Sequence, residues 1–193
     1  MAMIVKHKEI VANVRQISAA DDHQKAAEFD GGGVLSQEIL TALHRGRESE
    51  RDWKFRDAMR FLSDQMAARN LNQTPILSYV NDKQNPSDEN FCMAPQTGVR
   101  RALIIGINYY DPEYPDLRLT GSHRDAAAMY NFIVNEEGFC KDDVTLLMDD
   151  GYHESPTSDN ILEAIQDLIS VSVAGDSVFF HFSGKMRNFF SSQ

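Results

Sequence analysis

The chain has 193 residues, 42% hydrophobic and 25% charged, a composition that suits one globular domain, or two lobes with a shared core, and argues against disorder throughout. Acidic residues outnumber basic ones by 29 to 19, and the whole excess lies in residues 81–193, which carry 18 acidic and 8 basic residues against 11 of each in residues 1–80. This surplus disfavours nucleic acid as a partner and favours cationic partners such as Lys- and Arg-rich peptides or metal ions, although a solvated acidic surface also explains the charge.

No stretch of the sequence is apolar over the roughly 20 residues that a membrane-spanning helix requires, and the first residues lack the apolar core of a secretory signal. We therefore expect a cytoplasmic protein with no membrane partner. Cys92 and Cys140 are too few for a disulfide framework, and no cluster of cysteine and histidine has zinc-ligand spacing. Both cysteines are expected to be free thiols.

Residues 1–80 predict a small unit of strands and helices. A strand is predicted over residues 14–19, amphipathic helices over Leu35 to Leu43 and Trp53 to Arg69, and a last strand over Ile76 to Val80. The second helix is expected to bury one apolar face against a sheet shared with the rest of the chain, a face made by Trp53, Phe55, Leu62 and Met66. Residues 81–99, rich in Asn, Asp, Pro and Gln, are predicted to be a linker.

From residue 100 onward the sequence predicts a strand followed by a helix. Ala102 to Ile107 is a short aliphatic run, typical of a strand that is buried on both faces. Ser122 stands where the N-cap of the next helix is expected, and Asp125 is placed to meet the free N–H groups of its first turn. Gly138 is expected to end this helix.

A second strand is predicted over Val144 to Met148 and a third over Ser177 to Phe182. The helix between them is expected to begin near Ser158 or Asp159, with an apolar stripe of Ile161, Ile165, Leu168 and Ile169. The alternating order predicts an α/β fold with a parallel sheet and right-handed crossovers. Because chemistry in such sheets lies beyond the carboxyl ends of the strands, the candidate site comprises the segments at Asn108, after Met148 and from Ser183 onward.

Three motifs in this second part resemble those of the large catalytic lobe of metacaspases, the caspase-like cysteine peptidases. They are R-A-L-I-I-G-I-N-Y at residues 101–109, L-T-G-S-H-R-D-A at residues 119–126 and G-D-S-V-F-F-H-F-S-G at residues 175–184. The first looks like the family's first strand, the second like its L-x-G-C-x-N-D-A motif, and the third like its G-D-S-L-F-F-H-Y-S-G motif. Three such motifs, in order and at ordinary spacing, indicate the family over about 85 residues.

The first part of the chain is similar to the small lobe of metacaspases, which ordinarily follows the large lobe. Residues 17–28, 32–43 and 72–78 resemble the family's I-S-G-C-x-D-x-Q-x-S-A-D, G-A-x-T-x-x-F-x-x-A-L and Q-T-P-Q-L-S motifs. Small lobe before large lobe is the order of the permuted type III class. The resemblance implies an incomplete caspase-like sandwich, with a mostly parallel central sheet between helices. Its parts are a small lobe over residues 1–80, the linker 81–99, the N-terminal portion of the large lobe over residues 100–184, and a non-family tail over residues 185–193.

The resemblance implies a cysteine endopeptidase that cleaves after Arg or Lys, yet neither catalytic position of the family is filled in these residues. The family's histidine follows Ser-Gly at the end of the third strand, where this sequence has Lys185, and its cysteine ends a further strand that lies beyond residue 193. A lysine with the ordinary pKa of about 10.4 is protonated at neutral pH and cannot shuttle protons as a histidine does. We therefore expect this chain to be a truncated member of an enzyme family that has no catalytic residue and shows no turnover.

Part of the family's substrate pocket is retained. The resemblance assigns substrate binding to Asp125, with Ser183 nearby and Ser122 at the family's cysteine position. A carboxylate suits a basic side chain because it accepts charge-assisted hydrogen bonds, while helix capping is an equally supported and compatible role for Asp125. The family also implies calcium, but its ligands lie beyond the catalytic cysteine, so no metal site is expected in these residues.

The other histidines and cysteines are interpreted as structural. His181 is expected to be a packed or hydrogen-bonded core side chain, and Cys92 and Cys140 are interpreted as plain thiols. The remaining histidines are expected to be surface or capping residues, namely His7, His23, His44, His123 and His153.

Two functions are alternatives at this point. The first is an Arg/Lys-directed metacaspase that acts on basic peptides or proteins, of which this chain is an inactive form. The second is a pseudo-peptidase or regulatory module that binds basic peptides at Asp125 or pairs an open strand edge with a full-length metacaspase. A nucleotide-binding α/β protein is disfavoured because no G-x-G-x-x-G or G-x-x-x-x-G-K-[ST] motif follows a strand.

Overall fold

The computed structural model describes residues 12–19, 27–29, 32–49, 52–80, 86–94, 98–110 and 115–185. His7, His23, residues 20–26 of the small-lobe-like motif and the tail from residue 186 lie outside these ranges. Within them the elements follow in the order β1 (Val14–Ser18), β2 (Glu28–Phe29), β3 (Gly32–Gly33), α1 (Val34–Glu48), α2 (Phe55–Ala68), β4 (Ile76–Val80), β5 (Arg100–Gly106), α3 (Ser122–Asn135), β6 (Val144–Met148), α4 (Ser158–Ser170) and β7 (Ser177–Ser183).

β5, β6 and β7 form a three-stranded parallel sheet with β5 in the middle. Gly106, the last residue of β5, pairs with Met148 of β6 and with Ser183 of β7, so the three carboxyl ends are level. Leu103 and Ile104 of β5 are fully buried because apolar side chains cover both faces of the sheet. The predicted parallel sheet and its buried first strand are confirmed.

α3 packs on one face of this sheet and carries Ser122 and Asp125 to the carboxyl end of β5. Its buried apolar side chains join Ala102 and Ile104 of β5 in a single apolar cluster. Gly106 permits the close approach, since a Cβ at this position would lie 2.8 Å from both the carbonyl oxygen of Ser122 and Cβ of Ala126. The first turn of α3 therefore lies directly over the end of β5.

α4 covers the opposite face of the sheet. It begins at Ser158, as predicted, and the Thr157 hydroxyl caps it by accepting a hydrogen bond from Asn160 N at 3.2 Å. Ile169 is 67% exposed, so its predicted place in the apolar stripe is wrong. At about 100° per residue it lies about 80° around the helix from Ile161, beyond the edge of the buried stripe. The side chains that pack against the sheet are Ile161, Ala164, Ile165 and Leu168.

The first part of the chain packs mainly around α1. β1 and β4 pair antiparallel, and α1 and α2 enclose an apolar cluster that includes Leu62 and contacts Ile17 of β1. Within the described ranges, none of Trp53, Phe55, Leu62 and Met66 belongs to the two clusters that line the three-stranded sheet. The prediction that this face packs against that sheet is wrong, because α1 contacts both α2 and α3 and separates α2 from the sheet.

The described part of the predicted linker is attached to α2 by backbone hydrogen bonds. Phe55 N donates to Glu89 O at 2.9 Å, and Phe91 N donates to Trp53 O at 2.7 Å. The Phe91 ring meets Phe55 edge-on, with centroids 5.1 Å apart, and also packs against the α1/α2 cluster and the α3 cluster. Residues 89–91 thus tie the two parts of the chain together rather than only connecting them.

β7 forms one edge of the sheet. No strand within the described ranges pairs with its outer side. Val178 and Phe180 on this strand are each 51% exposed. The sheet therefore presents a partly apolar edge strand, the kind of surface that can accept a further strand.

Candidate functional site

The candidate site lies where the three parallel strands end. Asn108 follows β5 by two residues, Asp149 follows β6 directly, and Ser183 is the last residue of β7. Ile107 N donates a hydrogen bond to Ser183 O at 2.9 Å, and Asn108 N donates one to Asp149 Oδ1 at 2.8 Å. The three segments that the sequence singled out therefore meet at one edge of the sheet.

Asn108 is a buried polar residue that joins the end of β5 to the start of α3. It is 2% exposed, and its Oδ1 accepts a hydrogen bond from Ser122 N at 3.0 Å. Its Nδ2 donates to Tyr110 Oη at 3.0 Å, and its carbonyl oxygen accepts from Leu119 N at 2.8 Å. Both ends of the amide are used, so this side chain positions the first turn of α3.

Asp149 stabilises the turn that follows β5. Its carboxylate accepts hydrogen bonds from the backbone N–H groups of Asn108 and Tyr109, each at 2.8 Å, and lies 2.5 Å from His123 Nε2. Burial acts to raise the pKa of Asp149, but the bonds from Asn108 N, His123 and Tyr109 N outweigh it and hold the pKa below its ordinary value. Tyr109 has φ of 55°, which is unfavourable for a residue with a side chain, so Asp149 holds a strained turn.

His123 differs from its predicted role as a surface or capping residue. Its side chain is only 19% exposed and is paired with Asp149, and its ring meets Tyr110 edge-on at 5.7 Å. Sequence analysis did not assign a role to Asp149 itself, although an aspartate directly after a buried strand was a signal that could have identified it.

Asp125 connects three elements through one carboxylate oxygen. It is 4% exposed, and its Oδ2 accepts hydrogen bonds from Ser183 Oγ and from Gly33 N, each at 2.9 Å. The carboxylate of α3 is thereby joined to the end of β7 and to β3 in the first part of the chain. Two of the residues predicted to bind substrate, Asp125 and Ser183, are in direct contact.

β3 runs closely against this carboxylate. A Cβ at Gly33 would lie 2.7 Å from Asp125 Oδ2, and a Cβ at Gly32 would lie 3.0 Å from Asp125 Oδ1. Gly33 has φ of −68° and ψ of 128°, a conformation open to any residue, so the close approach rather than the backbone angle requires glycine. Gly33 was not identified as a site residue from the sequence, where the run of three glycines at residues 31–33 was the available signal.

Ser122 is the first residue of α3, and Gly121 is the N-cap, so the predicted capping role of Ser122 is wrong. The reason is that Asn108 Oδ1 accepts the hydrogen bond from Ser122 N from outside the helix. Ser122 is 3% exposed and lies three residues before Asp125, on the same helix face. Oδ2 of Asp125 is directed to Ser183 and Gly33 rather than back to the first turn.

Lys185 is held at the end of β7 by the turn after β5. Its carbonyl oxygen accepts a hydrogen bond from Tyr109 Oη at 2.5 Å, and its Nζ donates to Asp116 O at 3.0 Å. The residue is exposed. Lys185, which stands where the resemblance expects a catalytic histidine, is thus held beside the site.

His181 is half-buried in β7 with its Nε2 enclosed, and it packs against Phe179, as predicted for a packed side chain. Its Nε2 is buried and has no hydrogen-bond partner among the described residues, and its ring stacks on Phe179 with centroids 6.5 Å apart. Burial lowers the pKa of His181 to about 4, because the imidazolium form loses its hydration. This histidine is therefore neutral at physiological pH.

Both cysteines are exposed free thiols, as predicted. Cys92 lies on a cleft of about 350 Å³ that Trp53 and Phe91 also line. Although the residue is exposed, desolvation of its thiol in this cleft, followed by the negative charge of Glu137, raises the pKa of Cys92. It is therefore a thiol rather than a thiolate at neutral pH.

Within the described ranges, no group of three or more His, Cys, Asp and Glu side chains could hold a metal ion. Calcium, which the resemblance implies, has no fitting ligand set in these parts of the chain. The described helices include none that is long and apolar enough to cross a membrane.

Comparison with known proteins agrees with this geometry. Residues 100–192 match the family described as metacaspase, peptidase C14 domain. Over 193 aligned residues the chain is 31% identical to Metacaspase III c of Phaeodactylum tricornutum, and the match covers 93% of this chain and 57% of that protein. Metacaspase-1 of Pyricularia oryzae is 39% identical over 101 residues, which is 51% of this chain and 25% of that protein.

Metacaspase-1 of Saccharomyces cerevisiae is 37% identical over 100 residues, 51% of this chain and 22% of that protein. The chain thus spans little more than half the length of the first relative and a quarter or less of the other two. The family match begins at Arg100, the first residue of β5, and includes the parallel sheet and the site at its carboxyl edge. The chain belongs to the metacaspase family, and its mixed α/β structure with a parallel sheet is consistent with the caspase-like fold of that family.

Proposed function

We propose that this chain binds Arg- or Lys-containing peptide segments at Asp125, beside Ser183 and Ser122, and that it does so without cleaving them. The observation that carries the proposal is the 2.9 Å hydrogen bond between the buried Asp125 carboxylate and the Ser183 hydroxyl. It lies at the carboxyl edge of a parallel sheet, where such folds bind their ligands. The family resemblance gives these positions to the pocket for a basic side chain.

The chemistry of the pair suits a guanidinium or an ammonium group. A carboxylate can accept two parallel charge-assisted hydrogen bonds from a guanidinium. Because Ser183 Oγ donates its proton to Asp125, its oxygen lone pairs can accept a further N–H. The net charge of −10 attracts cationic peptides toward the surface at low ionic strength.

Two residues support binding without turnover. Lys185 stands where the family has its catalytic histidine, and its Nζ donates a hydrogen bond to Asp116 O, so this position carries no imidazole to move protons in thiol attack. Cys92 lies away from the site, in a cleft that Glu137 also lines beyond the end of α3, and its pKa is raised, the opposite of the lowered pKa that activates a nucleophilic thiol. The proposed role of the site at Asp125 is therefore recognition rather than hydrolysis.

A second candidate function is regulation of a full-length metacaspase through the outer edge of β7. The observation in its favour is that this edge pairs with no described strand and exposes Val178 and Phe180. Main-chain hydrogen bonding to such an edge is a common mode of protein recognition. Co-elution of the chain with an intact relative, abolished by Phe180→Lys, supports this function, and separate elution at micromolar concentrations contradicts it.

Calorimetric titration tests basic-peptide binding. The peptides are acetyl-Ala-Ala-Arg amide, its Lys counterpart and its Glu counterpart, titrated into the wild-type chain, Asp125→Asn, and Asp167→Asn as a control on the exposed surface of α4. We expect the Arg and Lys peptides to bind and the Glu peptide not to bind. Asp125→Asn should weaken binding by about tenfold or more, the value of a charge-assisted hydrogen bond, while Asp167→Asn should have no effect. Equal binding by the two variants contradicts the proposal.

A peptidase assay tests the absence of turnover. Fluorogenic substrates ending in Arg or Lys are incubated with the 193-residue chain, with and without calcium, which the family resemblance implies. We expect no release of fluorophore in either condition. Cleavage that a thiol reagent blocks would show that these residues are catalytically competent.

A further inference from the structure

The pocket residue Asp125 is almost inaccessible. Only 4% of its surface is exposed, and β3 lies so close that a single added carbon at Gly33 would fall 2.7 Å from Oδ2. A guanidinium cannot reach this carboxylate while β3 keeps that position. Binding at Asp125 therefore requires some element around it to move.

We propose that β3 (Gly32–Gly33) is a displaceable cover of the Asp125 carboxylate, and that a basic side chain binds when Gly33 N–H leaves Asp125 Oδ2. The inference rests on the proposed function, because it assumes that Asp125 accepts a basic side chain. It adds a step that the pocket residues alone do not imply, in which ligand binding on α3 releases a strand in the first part of the chain.

β3 is the least firmly held of the three elements that meet at the carboxylate. β7 pairs with β5 from Ser177 to Ser183, and α3 buries its apolar face in the cluster on the sheet. β3 has two residues, and among the residues that the structure describes it pairs with the two residues of β2. Its exit into α1 has no side-chain cap, because Gly33 is itself the N-cap residue of that helix.

Opening replaces one hydrogen-bond donor to Asp125 Oδ2 with another. In the closed state Asp125 Oδ2 accepts one backbone N–H from Gly33 and one hydroxyl from Ser183. In the open state a guanidinium supplies N–H donors with a full positive charge, which replace the neutral amide donor at the same oxygen. Gly33 N–H then turns to water, and Ser183 keeps its bond. Because only open molecules bind the peptide, the apparent affinity equals the intrinsic affinity multiplied by the fraction of molecules that are open.

Amide hydrogen exchange at Gly33 tests the cover directly. The ¹⁵N-labelled chain is followed by NMR with and without saturating acetyl-Ala-Ala-Arg amide, and the Gly33 amide is compared with that of Ile107, which donates to Ser183 O. We expect exchange at Gly33 to become about tenfold faster or more in the presence of the peptide, while exchange at Ile107 is unchanged. Peptide binding that depends on Asp125 with Gly33 still protected overturns the cover and leaves the proposed function standing.

A substitution at Gly33 provides a second test of the cover. Gly33→Ala places a methyl group against Asp125 Oδ2 and should shift the population toward the open state, with about tenfold tighter binding of the same peptide. Gly46→Ala is the matched control, because its methyl group in α1 would meet Trp53 instead of Asp125. Tighter binding by Gly33→Ala alone supports the cover, and equal affinity for the two variants contradicts it. If neither variant nor the wild type binds, the proposed function fails and the cover fails with it.

Discussion

His181 is a half-buried base with an enclosed Nε2 on the strand that leads into the site, and its environment predicts a measurable pH dependence of stability. Its Nε2 has no partner among the described residues, and its pKa is lowered to about 4 from an ordinary value of 6.5. Above pH 6.5 both the folded and the unfolded chain carry this histidine neutral. Between pH 6.5 and pH 4 the unfolded chain binds a proton that the folded chain does not, so stability falls as the pH falls.

The size of the effect follows from the same two values. Each pH unit in this window is worth about 1.4 kcal/mol, so the loss approaches about 3 kcal/mol at pH 4 and then levels off. The replacement His181→Phe removes the titrating group and keeps a ring that can stack on Phe179. We expect it to lose this part of the pH dependence and to keep or increase its stability at pH 7, since a buried polar atom without a partner is removed.

Urea unfolding at pH 7.0, 6.0, 5.0 and 4.5 measures the effect as a difference between proteins. Carboxylate groups also titrate in this range, but the variant and the wild type share them. The difference in stability between the two proteins therefore cancels their contribution. Phe180→Leu is the matched control, because it changes an exposed neighbour on β7 and adds no titratable group. If His181→Phe and the wild type lose stability in parallel over this range, burial does not lower the pKa of His181 as described.

Three further predictions concern the core and the site. In urea titrations, Leu62→Ala should lower the unfolding free energy by about 2–5 kcal/mol, because Leu62 is fully buried. Ile169→Ala should lower it by less than about 0.5 kcal/mol, because Ile169 is exposed. A large loss for Ile169→Ala contradicts the orientation of α4. Gly106→Ala should cost about 1–3 kcal/mol, because its methyl group would meet the backbone of α3, and an unchanged melting temperature refutes this contact. Asp149→Asn should cost about 1–3 kcal/mol at pH 7 through weaker bonds to the turn after β5. That difference should shrink as the pH falls below 3.8, because a carboxylate with a lowered pKa stabilises the fold only while ionised; a constant difference down to pH 2 contradicts this.

The regular elements could be predicted because local pattern determines them. β4 and β6 have the bounds read from their aliphatic runs, and α4 starts at the predicted Ser158. The misplaced parts depend on what lies opposite in the fold. Ile169 continues the apolar sequence of α4 but passes the edge of its buried stripe, and the apolar face of α2 meets α1 rather than the three-stranded sheet.

The candidate site could be predicted only in part for the same reason. Asp125 and Ser183 were assigned by resemblance, and they are in contact across 58 positions of sequence. The bond from Gly33 to Asp125 spans 92 positions and joins two parts of the chain, so no local pattern signals it. The role of Asp149 is also non-local, since it depends on the turn after β5, about 40 residues earlier.

The most direct test of the central claim, that Asp125 is the binding residue for a basic side chain, is a crystal structure of the chain with bound acetyl-Ala-Ala-Arg amide. The account predicts the guanidinium within about 3 Å of the Asp125 carboxylate, hydrogen-bond distance for a charged pair, with Ser183 Oγ beside it and β3 displaced from its closed position. A peptide bound elsewhere, with Asp125 still covered by Gly33, would contradict the account.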